Sequence, residues 1–158
     1  MFVDLIVVGG GAAGFFAAIT CAENSGKSVL ILEKTAQLLQ KVKISGGGRC
    51  NVTHDCFEPR ELSRNYPRGE KSLIGPLHRF GAADTVDWFA GRGVTLKTEA
   101  DGRMFPDTDS SQTIVDTLLG AADAAGVGIH TSEGVTSIVK NEGAFDLEPG
   151  LIYAASLR

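Results

Sequence analysis

Two glycine clusters and one carboxylate carry most of the chemistry that this sequence can announce. Gly9-x-Gly11-x-x-Gly14 follows the apolar run Phe2 to Val8 and opens the alanine-rich stretch Ala12 to Glu23. Glu33 closes the next apolar run, Ser28 to Leu32. This order of strand, glycine turn, helix and acidic strand end is the dinucleotide-binding fingerprint. Gly9 permits the tight turn, Gly11 lets a pyrophosphate approach the backbone, and Gly14 lets the helix pack close to the strand. The first helical residues, Ala12 and Ala13, offer free N–H groups and the positive end of a dipole to the phosphates. Glu33, with Lys34 beside it, can accept hydrogen bonds from ribose hydroxyls, and its charge disfavours a 2′-phosphate.

The second cluster is Ser45-Gly46-Gly47-Gly48-Arg49-Cys50-Asn51. Successive glycine N–H groups can form an anion nest. Arg49 brings a forked donor, and Ser45 and Asn51 bring short polar groups suited to a polyol chain or a ring edge. A domain for NAD alone has no use for this second element, whereas a cofactor of longer reach does. No other pattern supplies a catalytic acid, base or nucleophile. His54, His78 and His130 are isolated, with His130 expected in a buried strand. Cys50 lies in the second cluster, where its thiol is open to a redox role.

These residues need a scaffold, and the hydrophobic pattern provides one. Strand, helix (ending at Ser25-Gly26) and strand make a βαβ unit. Residues 34–82 read mainly as loop with short helices. A helix is expected over Ala83 to Ala90, and a hairpin joins Val94 to Thr98 with Arg103 to Phe105 around Asp101-Gly102. Ser111 to Ala125 reads as a helix capped by Asp109 or Ser110, followed by a strand at Gly128 to Thr131. Residues 135–155 read as an antiparallel β-meander with turns at Asn141-Glu142-Gly143 and Pro149-Gly150.

The chain has 158 residues, of which 20 are glycine, and a net charge of −4. It is long enough to bury a core without disulfide or metal staples. The overall acidity argues against a general nucleic-acid binder, although residues 34–79 alone carry +5. Three scattered cysteines, Cys21, Cys50 and Cys56, do not form a secreted disulfide framework. Gly9 to Gly11 interrupt the uncharged stretch Leu5 to Ala22, and no basic segment precedes it. Neither a membrane helix nor a signal peptide is therefore expected, and the location expected is cytoplasmic.

Val7-Val8-Gly9-Gly10-Gly11-Ala12-Ala13-Gly14, Glu33-Lys34 and Ile44-Ser45-Gly46-Gly47-Gly48-Arg49-Cys50-Asn51-Val52-Thr53 together resemble the BaiN/YhiN-like flavoproteins, also known as the aminoacetone-oxidase family. The resemblance continues through Asn65-Tyr66-Pro67-Arg68-Gly69 and Asp101-Gly102-Arg103-Met104-Phe105-Pro106. It implies an α/β fold: a Rossmann-like FAD-binding domain of glutathione-reductase type, with a parallel sheet and an antiparallel β-meander. It also implies that residues 1–158 are the N-terminal portion of a longer, here truncated, flavin-dependent oxidoreductase. Gly9 to Gly14 and Arg49 would hold the FAD pyrophosphate, and Glu33 the ribose. Ser45, Gly46, Gly47, Cys50 and Asn51 would run beside the ribityl chain and flavin, and Val135 would meet adenine through its backbone. NAD(P)H is the candidate electron donor, and the substrate is an unnamed small molecule. Leu39 stands where the family usually has glycine, Gln40 where it has a basic residue, and Lys43 where it has an apolar one. The first strand is expected to leave an unpaired sheet edge, open to association. The alternatives are an NAD-binding module without flavin and a non-catalytic remnant.

Overall fold

The computed structural model describes residues 3–141 and 144–151. In chain order the elements are β1 (Leu5–Val8), α1 (Ala12–Ser25), β2 (Val29–Glu33), α2 (Gln40–Gly48), β3 (Thr53–His54), α3 (Pro59–Ser63) and α4 (Glu70–Arg79). They continue with α5 (Ala82–Ala90), β4 (Leu96–Thr98), β5 (Arg103–Pro106), α6 (Ser111–Ala124), β6 (Gly128–Thr131), β7 (Glu133–Asn141) and β8 (Ala144–Leu151). The chain divides into two compact units, residues 1–41 with 118–158, and residues 42–117.

The first unit is built on a parallel sheet of order β1-β2-β6. Central β2 is buried along Val29, Leu30, Ile31 and Leu32, as a strand covered on both faces requires. Residues Leu5 to Val8 pair in register with Val29 to Leu32. Asp4 fastens the entry to this pair. Its carboxylate accepts from the Ser28 N–H (2.9 Å) and hydroxyl (2.7 Å) and pairs with Lys27 at 3.2 Å. The Ser28 bonds, with Lys27, hold its pKa down to about 2. The depressed value means that this tie persists above pH 4 and is lost as pH falls through about 2.

Helix α1 packs Phe15, Ala18 and Ile19 into the core and ends at Gly26, left-handed at φ 62°. Among the described residues β1 pairs only with β2, so the expected open edge is present. Beside it lies a cleft of about 1330 Å³ lined by Leu5, Ile6, Val8, Leu30, Leu32 and Phe145.

Strands β7 and β8 form an antiparallel hairpin with a bulge between Val135 and Ser137. The turn expected at Pro149-Gly150 is replaced by strand. Pro149 lies opposite Val135 and Gly150 opposite Gly134, so β8 continues to Leu151. A proline is tolerated there because the bulge interrupts the ladder and a two-stranded ribbon consists of edges. The Glu142-Gly143 turn and the remainder of the expected third arm, residues 152–155, lie outside the described residues. His130 corrects a second expectation. It sits on β6, but its imidazole is exposed and meets Glu133 at 3.2 Å.

The second unit carries an antiparallel sheet of order β3-β5-β4. The hairpin around Asp101-Gly102 is present as β4 and β5. Two-residue β3, pairing Thr53 with Met104, is an addition that the sequence did not signal. Helix α5 matches the expectation within a residue, and residues 34–82 hold α2, α3 and α4 besides loop. Ser110 makes the local contacts at the start of α6, its hydroxyl facing the Gln112 N–H at 3.3 Å. Asp109 is not that cap. Its backbone is left-handed at φ 53°, and its carboxylate is taken by Lys97 and Arg49.

Candidate functional site: a nucleotide-binding turn and a triglycine loop

The glycine turn joins the end of β1 to α1. The Gly9 N–H donates to the Leu32 carbonyl at 2.8 Å, and the Gly10 N–H donates to Glu33 Oε2 at 2.8 Å. Helix α1 starts at Gly11 with no side-chain cap and no acidic residue in its first turn. Its positive end is therefore not neutralised from within. Among the described residues no acceptor meets the N–H groups of Gly11, Ala12 or Ala13, the donors a helix start offers to an anion.

The glycines divide by function. A Cβ on Gly14 would stand 2.1 Å from the Gly9 carbonyl oxygen, so this position is glycine for packing. A Cβ on Gly11 would meet nothing within 4 Å, so this position is glycine for an approach from outside. That open cradle over unpaired N–H groups fits a pyrophosphate.

Glu33 is held by its neighbours. Oε2 accepts from Gly10, and Oε1 accepts from the Thr35 N–H at 2.8 Å and hydroxyl at 2.9 Å. Burial works to raise its pKa, but the Gly10 and Thr35 hydrogen bonds outweigh it and keep the carboxyl below its usual range. Glu33 is thus ionised and fixed at neutral pH, with one lone pair on Oε2 left for a ribose hydroxyl. Gly10 and Thr35 were not singled out from the sequence. The only signal for Thr35 was a hydroxyl residue two positions after the carboxylate.

Leu39 fills the place where the resembled family has glycine, and its φ of 55° explains the family preference. Its N–H donates to the Gly10 carbonyl at 2.9 Å, and its side chain is 1% exposed. Left-handed backbone costs an L-residue about 1–2 kcal/mol, while a buried leucine contributes more than that. Leu39→Gly should therefore be no less stable than Leu39→Ala in thermal melts, because relief of strain offsets the lost methyl. At an ordinary φ, glycine would be the worse of the two by about 1 kcal/mol.

Val135 falls at the bulge of β7. Gly9 to Gly14, Glu33, Lys34 and Val135 all belong to the first unit.

In the second unit, α2 departs from helical geometry at Ser45 (ψ 151°), and Gly46 and Gly47 are left-handed at φ 56° and 69°. Gly48 (φ 85°) and Cys50 (φ 61°) are left-handed as well. A Cβ on Gly46 would lie 2.7 Å from the Asn51 nitrogen and 2.8 Å from the Phe105 ring, so strain and crowding both demand glycine there. The Ser45 hydroxyl donates to the Val42 carbonyl, and the Cys50 N–H closes the loop onto the Ser45 carbonyl at 3.0 Å. The Asn51 amide nitrogen donates to the Thr53 carbonyl at 2.9 Å and the Met104 carbonyl at 3.3 Å. Cys50 is buried, and burial pushes its thiol pKa up, which suits packing and opposes nucleophilic use.

Arg49 lies 4.0 Å over the Phe105 ring. It pairs closely with Glu99 and meets Asp109 at 3.5 Å. The Glu99 hydrogen bond, followed by the charges of Glu99 and Asp109, raises its pKa further. A phosphate must therefore share Arg49 with two carboxylates. Nothing in the sequence pointed to Glu99 as its partner, 50 residues away.

Among the described residues no group of His, Cys, Asp and Glu could hold a metal ion. The three cysteines are free. No described helix is long and apolar enough to cross a membrane.

The chain is similar to known proteins in both sequence and fold. The chain is 33% identical over 145 residues to a ribosomal RNA dihydrouridine synthase of Escherichia coli K12, covering 92% of this chain and 35% of that protein. It is 30% identical over 113 residues to a 3-dehydro-bile acid Δ4,6-reductase of Clostridium scindens, covering 71% of this chain and 27% of the relative. It thus spans about a third of the length of these relatives. The solved 3-ketosteroid-Δ4-(5α)-dehydrogenase of Rhodococcus jostii RHA1 shares the fold, with a TM-score of 0.65 at 18% identity over 87% of this chain and 39% of that one. A family model described as HI0933-like protein Rossmann domain matches residues 3–151. The chain belongs to that HI0933-like family, as an FAD-binding Rossmann domain.

Proposed function

We propose that this chain holds the FAD of an oxidoreductase acting on a carbon–carbon bond beside a carbonyl. The observation that carries the cofactor assignment is the open cradle at Gly11, with unpaired N–H groups above it and an ionised Glu33 beside it. In this reading Gly9, Gly11, Ala12, Ala13 and Gly14 receive the pyrophosphate. Glu33 takes the adenosine ribose, Lys34 flanks it, and Val135 meets adenine through its backbone. Arg49 also meets the pyrophosphate, and Ser45, Gly46, Gly47, Cys50 and Asn51 serve the ribityl and flavin end. Ser45 and Asn51 do so through backbone or remaining lone pairs, because their side chains are engaged locally. When bound, FAD supplies a two-electron carrier that takes up or gives a hydride.

The substrate class draws on the relatives' names. Dihydrouridine formation and Δ4,6 reduction both saturate a double bond conjugated to a carbonyl. NAD(P)H is the electron donor in this reading, and the location is cytoplasmic. The open β1 edge is where a further strand or a second copy associates.

Titration of the purified chain with FAD tests the cofactor assignment. Flavin fluorescence should quench to saturation, and NAD⁺, which shares only the ADP portion with FAD, should displace the flavin no better than ADP does. Displacement by NAD⁺ far more effective than by ADP would favour an NAD module without flavin. For the substrate class, the protein extended to its relatives' length should saturate such a double bond at the expense of NAD(P)H, read as uptake of hydrogen by mass spectrometry.

A further inference from the structure

Exposed cations without an ion pair among the described residues occur along the chain, Lys34, Lys41, Lys43, Arg79 and Lys140 among them, but they are densest between residues 60 and 79. Lys27, Arg49, Lys97 and Arg103 are all tied to carboxylates. Arg60, Arg64, Arg68 and Lys71 are exposed, and none has a carboxylate within ion-pairing distance among the described residues. All four lie on α3, on α4 or on the short loop between them, and those two helices pack together.

The same excursion carries exposed aromatic rings at both ends of α3, Phe57 at 53% and Tyr66 at 46% exposure. Helix α4 packs with α3, and its Leu73, Ile74 and Leu77 are half-buried, which leaves its charged residues facing outward. Three carboxylates lie close by. Glu58 is used as the cap of α3, accepting from the Glu61 N–H at 2.8 Å, and Glu61 and Glu70 remain. The balance is positive on a chain that is otherwise acidic. Unpaired arginines interleaved with exposed rings suit a single-stranded polyanion whose bases can stack.

We propose that the α3–α4 excursion is a contact surface for single-stranded RNA, with Arg60, Arg64, Arg68 and Lys71 on phosphates and Phe57 and Tyr66 on bases. This rests on the reading above, in which a uracil ring in RNA is one member of the substrate class. It also revises the expectation of no nucleic-acid partner, because whole-chain charge averages away a local basic surface.

The test is fluorescence anisotropy of a fluorescein-labelled oligouridine titrated with the 158-residue chain. Four neutralised phosphates on a single strand should weaken binding roughly fiftyfold between about 50 and 200 mM salt. Arg64→Ala with Arg68→Ala should cost at least tenfold in affinity and flatten the salt dependence. Lys27→Ala with Lys140→Ala, an equal loss of charge elsewhere, should change affinity less than twofold. Phe57→Ala with Tyr66→Ala should cost at least fivefold for oligouridine and nothing for dextran sulfate. FAD titration of the same variants should be unchanged, which separates this proposal from the cofactor assignment. Absence of oligouridine binding, equal losses in both charge pairs, or no effect of the aromatic pair would each overturn it, whether or not FAD binds.

Discussion

Gly14→Ala should abolish FAD binding and lower the melting temperature by roughly 5–10 °C, the scale of a severe overpacking in a domain of this size. The cause is geometric. The new methyl would stand 2.1 Å from the Gly9 carbonyl oxygen and 3.2 Å from Val7 Cγ1. Neither neighbour can yield cheaply, because Val7 is in register with Ile31 and the Gly9 N–H is bonded to Leu32. Helix α1 must instead move away from β1, carrying its first-turn N–H groups with it. Gly11→Val separates binding from folding. Its Cβ meets nothing within 4 Å, and its φ of −89° suits any residue. This variant should melt within about 2 °C of the parent, as surface changes do, yet fail to take up FAD. Circular dichroism melts beside flavin fluorescence titrations check both.

Glu33→Gln should weaken FAD binding by roughly tenfold to a hundredfold, the worth of one hydrogen bond to a charged group, about 1.5–3 kcal/mol. The amide retains shape but loses an acceptor. Gly10 and Thr35 present three donors to the carboxylate, and a carboxamide oxygen can serve only one side of them. The unpaired Gly10 N–H then perturbs the turn itself. The pH dependence follows from the direction of the shift. The folded carboxyl lies below its ordinary 4.5, so its contribution is complete above the unfolded value. It is lost as pH falls through the lower folded value. The parent should therefore retain FAD affinity through neutral and mildly acidic pH and lose it only at acid below the usual glutamate range. Glu33→Gln should lack that acid limb.

Much of this site could be read from residue order alone. A continuous apolar run before glycines, an alanine-rich helix and an acidic strand end have few structural solutions, and β1, α1 and β2 fall where the pattern places them. The triglycine loop was legible for a similar reason, since a run of left-handed residues admits little but glycine. What escaped was set by partners distant in sequence. Arg49 looks like a free anion ligand until Glu99, Asp109 and Phe105 surround it. Pro149-Gly150 has turn chemistry, but pairing with Gly134 and Val135 overrides it where the bulge accommodates proline. His130 lies on a strand whose face is open, a fact decided by the sheet and not by its neighbours in sequence. Leu39 was visible as a departure from the family pattern, but its positive φ and burial were not.

The central claim is that one FAD is bound with its ADP portion on the Gly9–Gly14 turn and Glu33. Competition against bound FAD tests it most directly, with ADP and FMN as rival ligands and flavin fluorescence as the readout. Apart from Arg49, the residues assigned to the ADP portion lie in one unit, so ADP should displace FAD, and Gly11→Val should bind neither. Release of FAD by FMN but not by ADP, or undiminished FAD binding by Gly11→Val, would contradict the account.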